Sequence, residues 1–314
     1  MQISKVLIVG GAGFVGSHLV DVCLENGLQV GVYDNFSVGK RNFLPEIPSL
    51  QVIEGDILDA GQINTAVKQF RPDVVFHLAA IHHIPTCERI PDQALSVNIV
   101  GTQNVLHACL EANIRRVVFA STGALYDPLI FGPLAETEPV KAFDIYSISK
   151  LTCEHLLAYY STKNDREVMV ARLFNCVGRR ETNSHLIPAV VGQLVTGKRQ
   201  IQLGNLTPRR DYIHVEDAAA AFFALGKLQS DQKFDVFNVG TGIEHSVQEL
   251  VETFADVLGE KLDIISTPEL QRKVDRPTQQ ANSNKLQQKT GWKPVHSLKK
   301  ALGDVWQESQ EKEN

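Results

Sequence analysis

The sequence contains no run near the roughly 20 apolar residues that a bilayer-spanning helix needs. Its first residues, Met1 to Val9, run straight into a β-branched strand and lack the layout of a secretory leader. An excess of positive charge is also missing. Lys and Arg total 31 against 36 Asp and Glu, a formal charge of −5. That balance excludes a globally basic nucleic-acid binder. Cysteine is scarce and unpatterned. Cys23, Cys87, Cys109, Cys153 and Cys176 are odd in number, widely spaced and never arranged as C-x-x-C. A disulfide framework or a zinc site is not expected, and no metal is assigned. Internal repeats and low-complexity tracts are absent, and only Gln307 to Asn314 is polar enough to be expected as a frayed tail. These absences leave a cytoplasmic globular protein as the expectation, with neither a membrane nor nucleic acid as partner.

What is present is a chain of 314 residues, 43% hydrophobic, enough for two domains or one large α/β unit. Strands are expected at Lys5–Val9, Gln29–Tyr33, Leu50–Glu54, Asp73–Leu78, Arg116–Ala120 and Glu167–Leu173. Helices are expected at Phe14–Glu25, Ala60–Phe70, Leu95–Ala112 and Tyr146–Ser161. This alternation predicts an α/β fold built on a doubly wound parallel Rossmann sheet. Beyond Asn175 the pattern loosens. A helix is read around Leu186 to Thr196, short strands at Gln200–Leu203 and Asp211–Val215, a last core strand at Phe234–Val239 and a helix at Val247–Leu258. Residues 1–176 are expected to form the Rossmann domain, completed by about 212–240, with 177–211 and 241–314 as a smaller C-terminal lobe.

Two local patterns carry chemistry. Gly10-Gly11-Ala12-Gly13-Phe14-Val15-Gly16 follows the first strand and opens the first helix. Glycines let the backbone turn tightly and approach a pyrophosphate, and the helix N-terminus offers free N–H groups and a positive dipole end. Asp34 closes the second strand, 18 residues past Gly16. A carboxylate there accepts from both hydroxyls of an adenosine ribose and repels a 2′-phosphate, so NAD is expected over NADP. The second pattern is Tyr146-Ser147-Ile148-Ser149-Lys150, which puts Tyr146 and Lys150 on one helix face. A phenol of pKa about 10 is a poor base at neutral pH. A neighbouring ammonium, or an oxidised nicotinamide, stabilises the phenolate. The pair can then take a proton from a hydroxyl as its carbon gives up hydride. The fifth strand leads into Ser121-Thr122-Gly123-Ala124-Leu125-Tyr126, where a hydroxyl either holds the substrate oxygen or satisfies its own turn.

Together these segments resemble an extended short-chain dehydrogenase/reductase of the nucleotide-sugar epimerase/dehydratase family, over essentially the whole chain. The glycine run matches the family's opening, which implies Gly10, Gly13, Phe14 and Val15 as cofactor contacts. Asp34, Asn35, Phe36, Ser37, Gly39 and Lys40 resemble its ribose loop, and Asp56 with Ile57 its adenine-contacting turn. Leu78, Ala79 and Ala80 resemble the fourth-strand end near the pyrophosphate and ribose, with His82 just beyond. Asn98 matches an asparagine that supports the active site, and it is counted with the cofactor residues. The resemblance implies Thr122 as the catalytic hydroxyl and Tyr146 as the acid/base. Lys150 is implied as its electrostatic partner and nicotinamide-ribose ligand. In the second half, Asn175, Arg210 and Arg276 fall in segments similar to those that bind the substrate sugar or diphosphate. Guanidinium forks suit that task.

The implied reaction is 4-epimerisation of a nucleotide-diphosphate sugar. Tyr146 takes the 4-hydroxyl proton while hydride passes from C4 to NAD, the 4-keto sugar rotates, and hydride returns to its other face. Some residues depart from the family pattern. Gly123-Ala124 replaces the Asp-Glu pair of 4,6-dehydratases, and Ala124 stands where 3,5-epimerases carry cysteine. Asp127 replaces a glycine, Pro277-Thr278-Gln279-Gln280 replaces a Pro-Gly-Asp run, and His82-His83 is unusual. A dehydratase or ketoreductase on the same scaffold is the alternative, and a non-catalytic dinucleotide-binding protein a second one. The family also implies a homodimer through Leu95–Ala112 and Tyr146–Ser161. Leu106, Leu110, Leu151 and Leu156 are candidates for its apolar stripe, although their spacing equally suits the core.

Overall fold

The computed structural model describes residues 3–182, 185–267 and 276–311. The chain opens with β1 (Lys5–Val9), α1 (Phe14–Glu25), β2 (Gln29–Asp34), β3 (Leu50–Glu54), α2 (Ala60–Phe70) and β4 (Val74–His77). Then come α3 (Ile84–Arg89), α4 (Pro91–Leu95), a π-helical turn at Ser96–Val100, α5 (Gly101–Glu111), β5 (Arg116–Thr122) and β6 (Pro133–Leu134). The middle of the chain forms α6 (Ile145–Asn164), β7 (Glu167–Leu173), β8 (Asn175–Val177), α7 (Leu186–Val195), β9 (Gln200–Leu203) and β10 (Arg209–His214). It continues through α8 (Val215–Lys227), β11 (Phe234–Val239), β12 (Glu244–Ser246) and α9 (Val247–Leu258). The last elements are β13 (Asp263–Ser266), β14 (Gln280–Ala281), α10 (Asn284–Thr290) and α11 (Leu298–Glu311).

Seven strands form one parallel sheet in the order β11-β7-β5-β4-β1-β2-β3. Their apolar runs suit burial on both faces. From β1, Val6 and Ile8 pack with Leu19 of α1 and Phe222 and Leu225 of α8. Leu7 and Val9 point the other way, to Val67, Val105, Cys109 and Leu157 from α2, α5 and α6. Strand order reverses between β1 and β4, which opens a crevice at their carboxyl ends. Val9 lies opposite both Tyr33 and His77, so the residues after β1, β2 and β4 emerge level at that crevice. A third cluster packs α7, α9 and α11 through Val190, Leu194, Leu250, Phe254, Leu298 and Leu302. Leu286 and Trp292 return from the C-terminal part of the chain to the sheet's core.

Besides short elements such as α3, β8 and α10 that were not expected, three features differ from the sequence expectation. The helix read over Leu95–Ala112 begins earlier, at Pro91, and widens at Ser96–Val100. Asn98 sits in that wide turn and donates to Ile81 O and Ser149 Oγ, 2.9 Å each. No helix was expected at Val215–Lys227, yet α8 covers the sheet. Its alanine run, Ala218 to Ala221, favours a helix, and Val215, Ala218, Ala219, Phe222 and Leu225 bury one stripe at helical spacing, so the signal was present in the sequence. The expected frayed tail is instead helical through Glu311. Leu298, Ala301, Leu302 and Val305 bury one stripe, and Glu308 accepts from Arg180 N at 2.9 Å. All five cysteines are free thiols, four of them buried. Among the described residues no helix is long and apolar enough to cross a membrane.

Candidate active site

A single cleft of about 1070 Å³ runs from the glycine turn, across the carboxyl ends of β1, β4 and β5, to α7 and β10. At one end the backbone turns sharply. Gly10 has φ +85°, and a Cβ there would meet Ala79 N at 2.6 Å. A Cβ on Gly16 would meet Gly10 O at 2.1 Å, so α1 begins pressed against the turn. Its N-cap, Gly13, offers no side-chain hydrogen bond. The first N–H groups of α1 are thus left for a ligand, the arrangement that suits a pyrophosphate. Gly10, Gly13, Phe14 and Val15 line this end.

Asp34 is buried at the end of β2. Its oxygens accept from Ala12 N and Phe36 N, 2.9 Å each. Burial raises its pKa, and these two bonds oppose the rise. Asn35 donates to Asp56 Oδ2 at 2.9 Å and accepts from Ser37, which ties the ribose loop to the turn after β3. Asn35, Ser37, Gly39, Asp56, Ile57, Leu78, Ala79, Ala80 and His82 line the cleft beside Asp34. These residues fit a dinucleotide: an uncapped helix start, a close-approach glycine turn and a carboxylate one strand over.

Three expected cofactor residues stand apart from the lining. Phe36 turns in a left-handed conformation (φ 56°) and packs against the sheet core. The Lys40 ammonium lies 5.7 Å from the Phe43 ring centroid on an exposed surface. Asn98 is buried behind the cleft and accepts from Ile81 N at 2.8 Å.

The chemical groups meet where β5 ends against α6. The carboxylate of Asp144 caps α6 by accepting from Ser147 N at 2.8 Å. That start projects Tyr146 and, one turn on, Lys150 toward β5. Tyr146 is hydrogen-bonded to the Thr122 side chain; burial raises the phenol's pKa and that bond lowers it. Thr122 Oγ1 also accepts from Ala124 N at 3.1 Å. Lys150 Nζ donates to Ala120 O at 2.8 Å and lies 4.6 Å from the Phe119 ring centroid. Burial lowers the Lys150 pKa to about 8.

The far wall comes from β8, β10 and the segment before β14. Asn175, Arg210 and Arg276 line it. Arg210 Nη1 donates to Arg209 O and Arg276 O, 2.8 Å each. Arg276 donates to Tyr126 O at 2.6 Å and also to Ala124 O, so it grips the turn that follows Thr122. Burial, more than any other cause, lowers its pKa to about 10. Asp275 lies outside the described residues. Sequence reasoning missed Tyr33, Gln93, Gln193, Tyr212 and Gln279, which also line the cleft. Isolated polar residues of this kind carry no local pattern that marks them. Asp127 accepts from Leu129 N at 3.0 Å and shapes the loop where a glycine was expected.

Two histidine groups have structural readings. His82 faces the cleft and is exposed within it, where partial desolvation and the neighbouring His185, Lys150 and His83 charges lower its pKa. The His185 ring is 6.0 Å from that of His82 and 5.2 Å from that of His83. Outside the cleft lining, His214, Glu216 and His296 come close enough to suggest a cation site. However, His214 Nδ1 accepts from Glu216 N at 3.1 Å and its Nε2 faces Asp304 at 3.0 Å. His296 is likewise held by Asp217. These contacts make a hydrogen-bonded staple between α8 and the C-terminal segment.

Known proteins share the family and the fold of this chain. The family model described as "NAD dependent epimerase/dehydratase family" matches residues 6–240. The chain is 31% identical over 318 residues to UDP-glucose 4-epimerase of Corynebacterium glutamicum, covering 96% of this chain and 94% of that one. Its fold is similar to UDP-glucose 4-epimerase of Thermotoga maritima, solved with UDP-glucose. The TM-score is 0.89 and the identity 28%, covering 99% of this chain and 100% of that one. The Thermus thermophilus UDP-glucose 4-epimerase complex with NAD gives a TM-score of 0.88 at 28% identity, covering 98% and 99% of the two chains.

Proposed function

The chain belongs to the NAD dependent epimerase/dehydratase family, and we propose that it interconverts the C4 epimers of a UDP-hexose. When bound, NAD supplies the hydride acceptor for C4 and holds the hydride for its return. The protein's residues do the rest. Tyr146 takes the proton of the 4-hydroxyl and gives it back in the second half-reaction. Thr122 hydrogen-bonds the same oxygen as it passes between hydroxyl and carbonyl. Lys150 places an ammonium one turn below the phenol and favours the phenolate. Asp34 accepts from the adenosine ribose, and the glycine turn with the start of α1 receives the pyrophosphate. Arg210 and Arg276 bind the substrate diphosphate, with Asn175 beside the sugar. Gly123 and Ala124 offer no acid or base for eliminating water.

The observation that carries this reading is the convergence of Thr122, Tyr146 and Lys150 in one cleft, between the uncapped helix start and the two arginines. The test is direct. The purified protein with NAD is given UDP-galactose, and product stereochemistry is followed by NMR. UDP-glucose should form without net change in NAD absorbance. Net reduction of NAD, or loss of water from the sugar, would replace the proposal with a dehydrogenase or dehydratase.

A homodimer through α5 and α6 is proposed on the same basis. The leucines do not all serve as the sequence pattern allowed. Leu106 is buried and Leu110 packs on the same core, while Leu151 and Leu156 are half-buried. The outer face instead carries exposed Val100, Ile148 and Tyr159. Free thiols suit a reducing compartment, and the cytoplasm is the proposed location.

A further inference from the structure

Beneath the proposed catalytic groups lies a buried ion pair that the reaction scheme does not use. Glu154 is on α6, one turn beyond Lys150 and two beyond Tyr146, and it is buried. Its Oε1 accepts from Ser121 Oγ at 2.6 Å and from Arg172 Nε at 3.0 Å. Its Oε2 accepts from Arg172 Nη2 at 2.7 Å. Arg172 is on β7, directly opposite Ser121 in the sheet register. Its guanidinium lies 4.9 Å from the Tyr126 ring centroid and contacts Glu136 O at 3.5 Å. Burial works against the Arg172 charge, but the hydrogen bonds and charge of Glu154 outweigh it and hold its pKa above the ordinary value.

The pair closes a repeating seam. Three consecutive β5 residues each hold one position of α6, spaced by one helical turn. Thr122 bonds Tyr146, Ala120 O accepts from Lys150, and Ser121 donates to Glu154. Isolated buried charges are expensive, and a buried pair costs more than an apolar contact of the same shape. Residues that served only to pack α6 on β5 would not need it.

We propose that Glu154 is a positioning residue, which clamps the end of β5 to α6 and keeps a fixed negative charge beside Lys150. The other ionisable groups facing Lys150 are neutral near pH 7. Burial raises the thiol of Cys87 on α3 to about 11 and also raises that of Cys153 on α6. It lowers His77 on β4 to about 3 and raises the Tyr146 phenol, while the positive charges of His185, Lys150 and His83 favour the neutral form of His82, which is exposed in the cleft. Cys153, Cys87 and, less strongly, Glu154 oppose the fall of the Lys150 pKa; with the two thiols protonated, Glu154 is the one that bears a charge there, and Arg172 is its counter-charge. Removing only the Glu154 charge leaves the buried Arg172 cation without its counter-charge.

The inference rests on the proposed epimerase reaction for its kinetic arm, so one measurement is made without substrate. Glu154→Gln keeps the shape and loses the charge. Its alkaline limb in the kcat–pH profile should move down by about 1 pH unit, with kcat lowered about 10-fold or more and KM for UDP-galactose nearly unchanged. The substrate-free arm follows the Lys150 side-chain carbon resonance by NMR titration, assigned by its loss in Lys150→Met. Its midpoint should fall by the same amount. Glu154→Gln combined with Arg172→Met removes both charges and should bring the midpoint back toward that of the unaltered protein. A folded Glu154→Gln variant with an unmoved Lys150 midpoint overturns the proposal, whatever its activity. If Glu154→Gln does not fold, Ser121→Ala decides. It leaves the ion pair intact and should lower kcat several-fold with no shift in the midpoint, and unchanged kcat would overturn the clamp. Absence of turnover in the unaltered protein would sink the epimerase reading alone, because the NMR arm still reports on Glu154.

Discussion

The two ends of the cleft are built differently. At the cofactor end, function comes from short stretches of chain. The glycine turn, Asp34 and the Tyr146–Lys150 pair are each set within a few residues of one strand or helix end. At the lobe end, the wall is assembled across long separations. Arg210 bonds the carbonyl of Arg276, 66 positions away, and Arg276 reaches Tyr126, 150 positions away. Chemistry that depends on backbone geometry is written locally. Recognition of a variable sugar nucleotide is written in side chains that meet only in the folded protein.

If the difference is real, the two ends should fail in different kinetic terms. The largest effect is expected for Tyr146→Phe, which keeps the ring and removes the phenol oxygen. Its kcat should fall by about 10²–10⁴, with bound NAD retained, as read from turnover and from cofactor absorbance of the purified variant. Near-normal turnover by a folded, NAD-loaded variant would remove Tyr146 from the mechanism. Asp34→Ala comes next. Lost hydrogen bonds to a charged acceptor cost about 1.5–3 kcal/mol each, so NAD affinity should drop about 10- to 100-fold and the preference over NADP should narrow. Calorimetric titration with both dinucleotides measures this, and equal binding of the two by the unaltered protein would refute the assignment. Arg210→Ala should act at the other end. KM for the sugar nucleotide should rise about 10-fold with kcat little changed, because the diphosphate contact is made equally before and during reaction. A fall in kcat at constant KM would show that the lobe does more than bind.

The same contrast explains what could be read from the sequence. Strands of the central sheet were legible because both faces are covered, so each reads as an apolar run bounded by glycine, proline or aspartate. Helix α8 was equally legible, in its alanine run and in the helical spacing of Val215, Ala218, Ala219, Phe222 and Leu225, although no helix was expected there. The last helix was harder to see, because its exposed face is so polar that few apolar residues beyond Leu298, Leu302 and Val305 mark its buried stripe. In the site, motif residues were legible where the backbone dictates the residue type, as at Gly10 and Asp34. Phe36 and Lys40 belong to a recognisable motif, yet side-chain direction within a loop depends on packing that no motif encodes. The Glu154–Arg172 pair left no trace. Each is an ordinary charged residue in the sequence, and 18 positions separate them.

The smallest expected effect concerns stability, and it separates the catalytic groups from their scaffold. The Lys150 pKa is about 8 in the fold against an ordinary 10.5, with burial as the main cause. Between those two values the unfolded chain binds a proton that the folded chain lacks, so stability rises with pH across that window. Below about pH 8 both states hold the proton and the ammonium stays buried, at a cost on the order of 3 kcal/mol. Lys150→Met removes that cost. It also removes the hydrogen bond to Ala120 O, which takes back about 1 kcal/mol. The net gain should be about 1–2 kcal/mol, a rise in Tm of about 1.5–3 °C at pH 7, while turnover is lost. Thermal melts of the cofactor-free protein at pH 7 and pH 10 provide the check. Lys150→Met should be the more stable at pH 7, and its advantage should shrink at pH 10. A variant less stable than the unaltered protein at both pH values would mean that Lys150 is held by its contacts with β5 rather than against the cost of burial. The catalytic end would then be no more strained than the lobe.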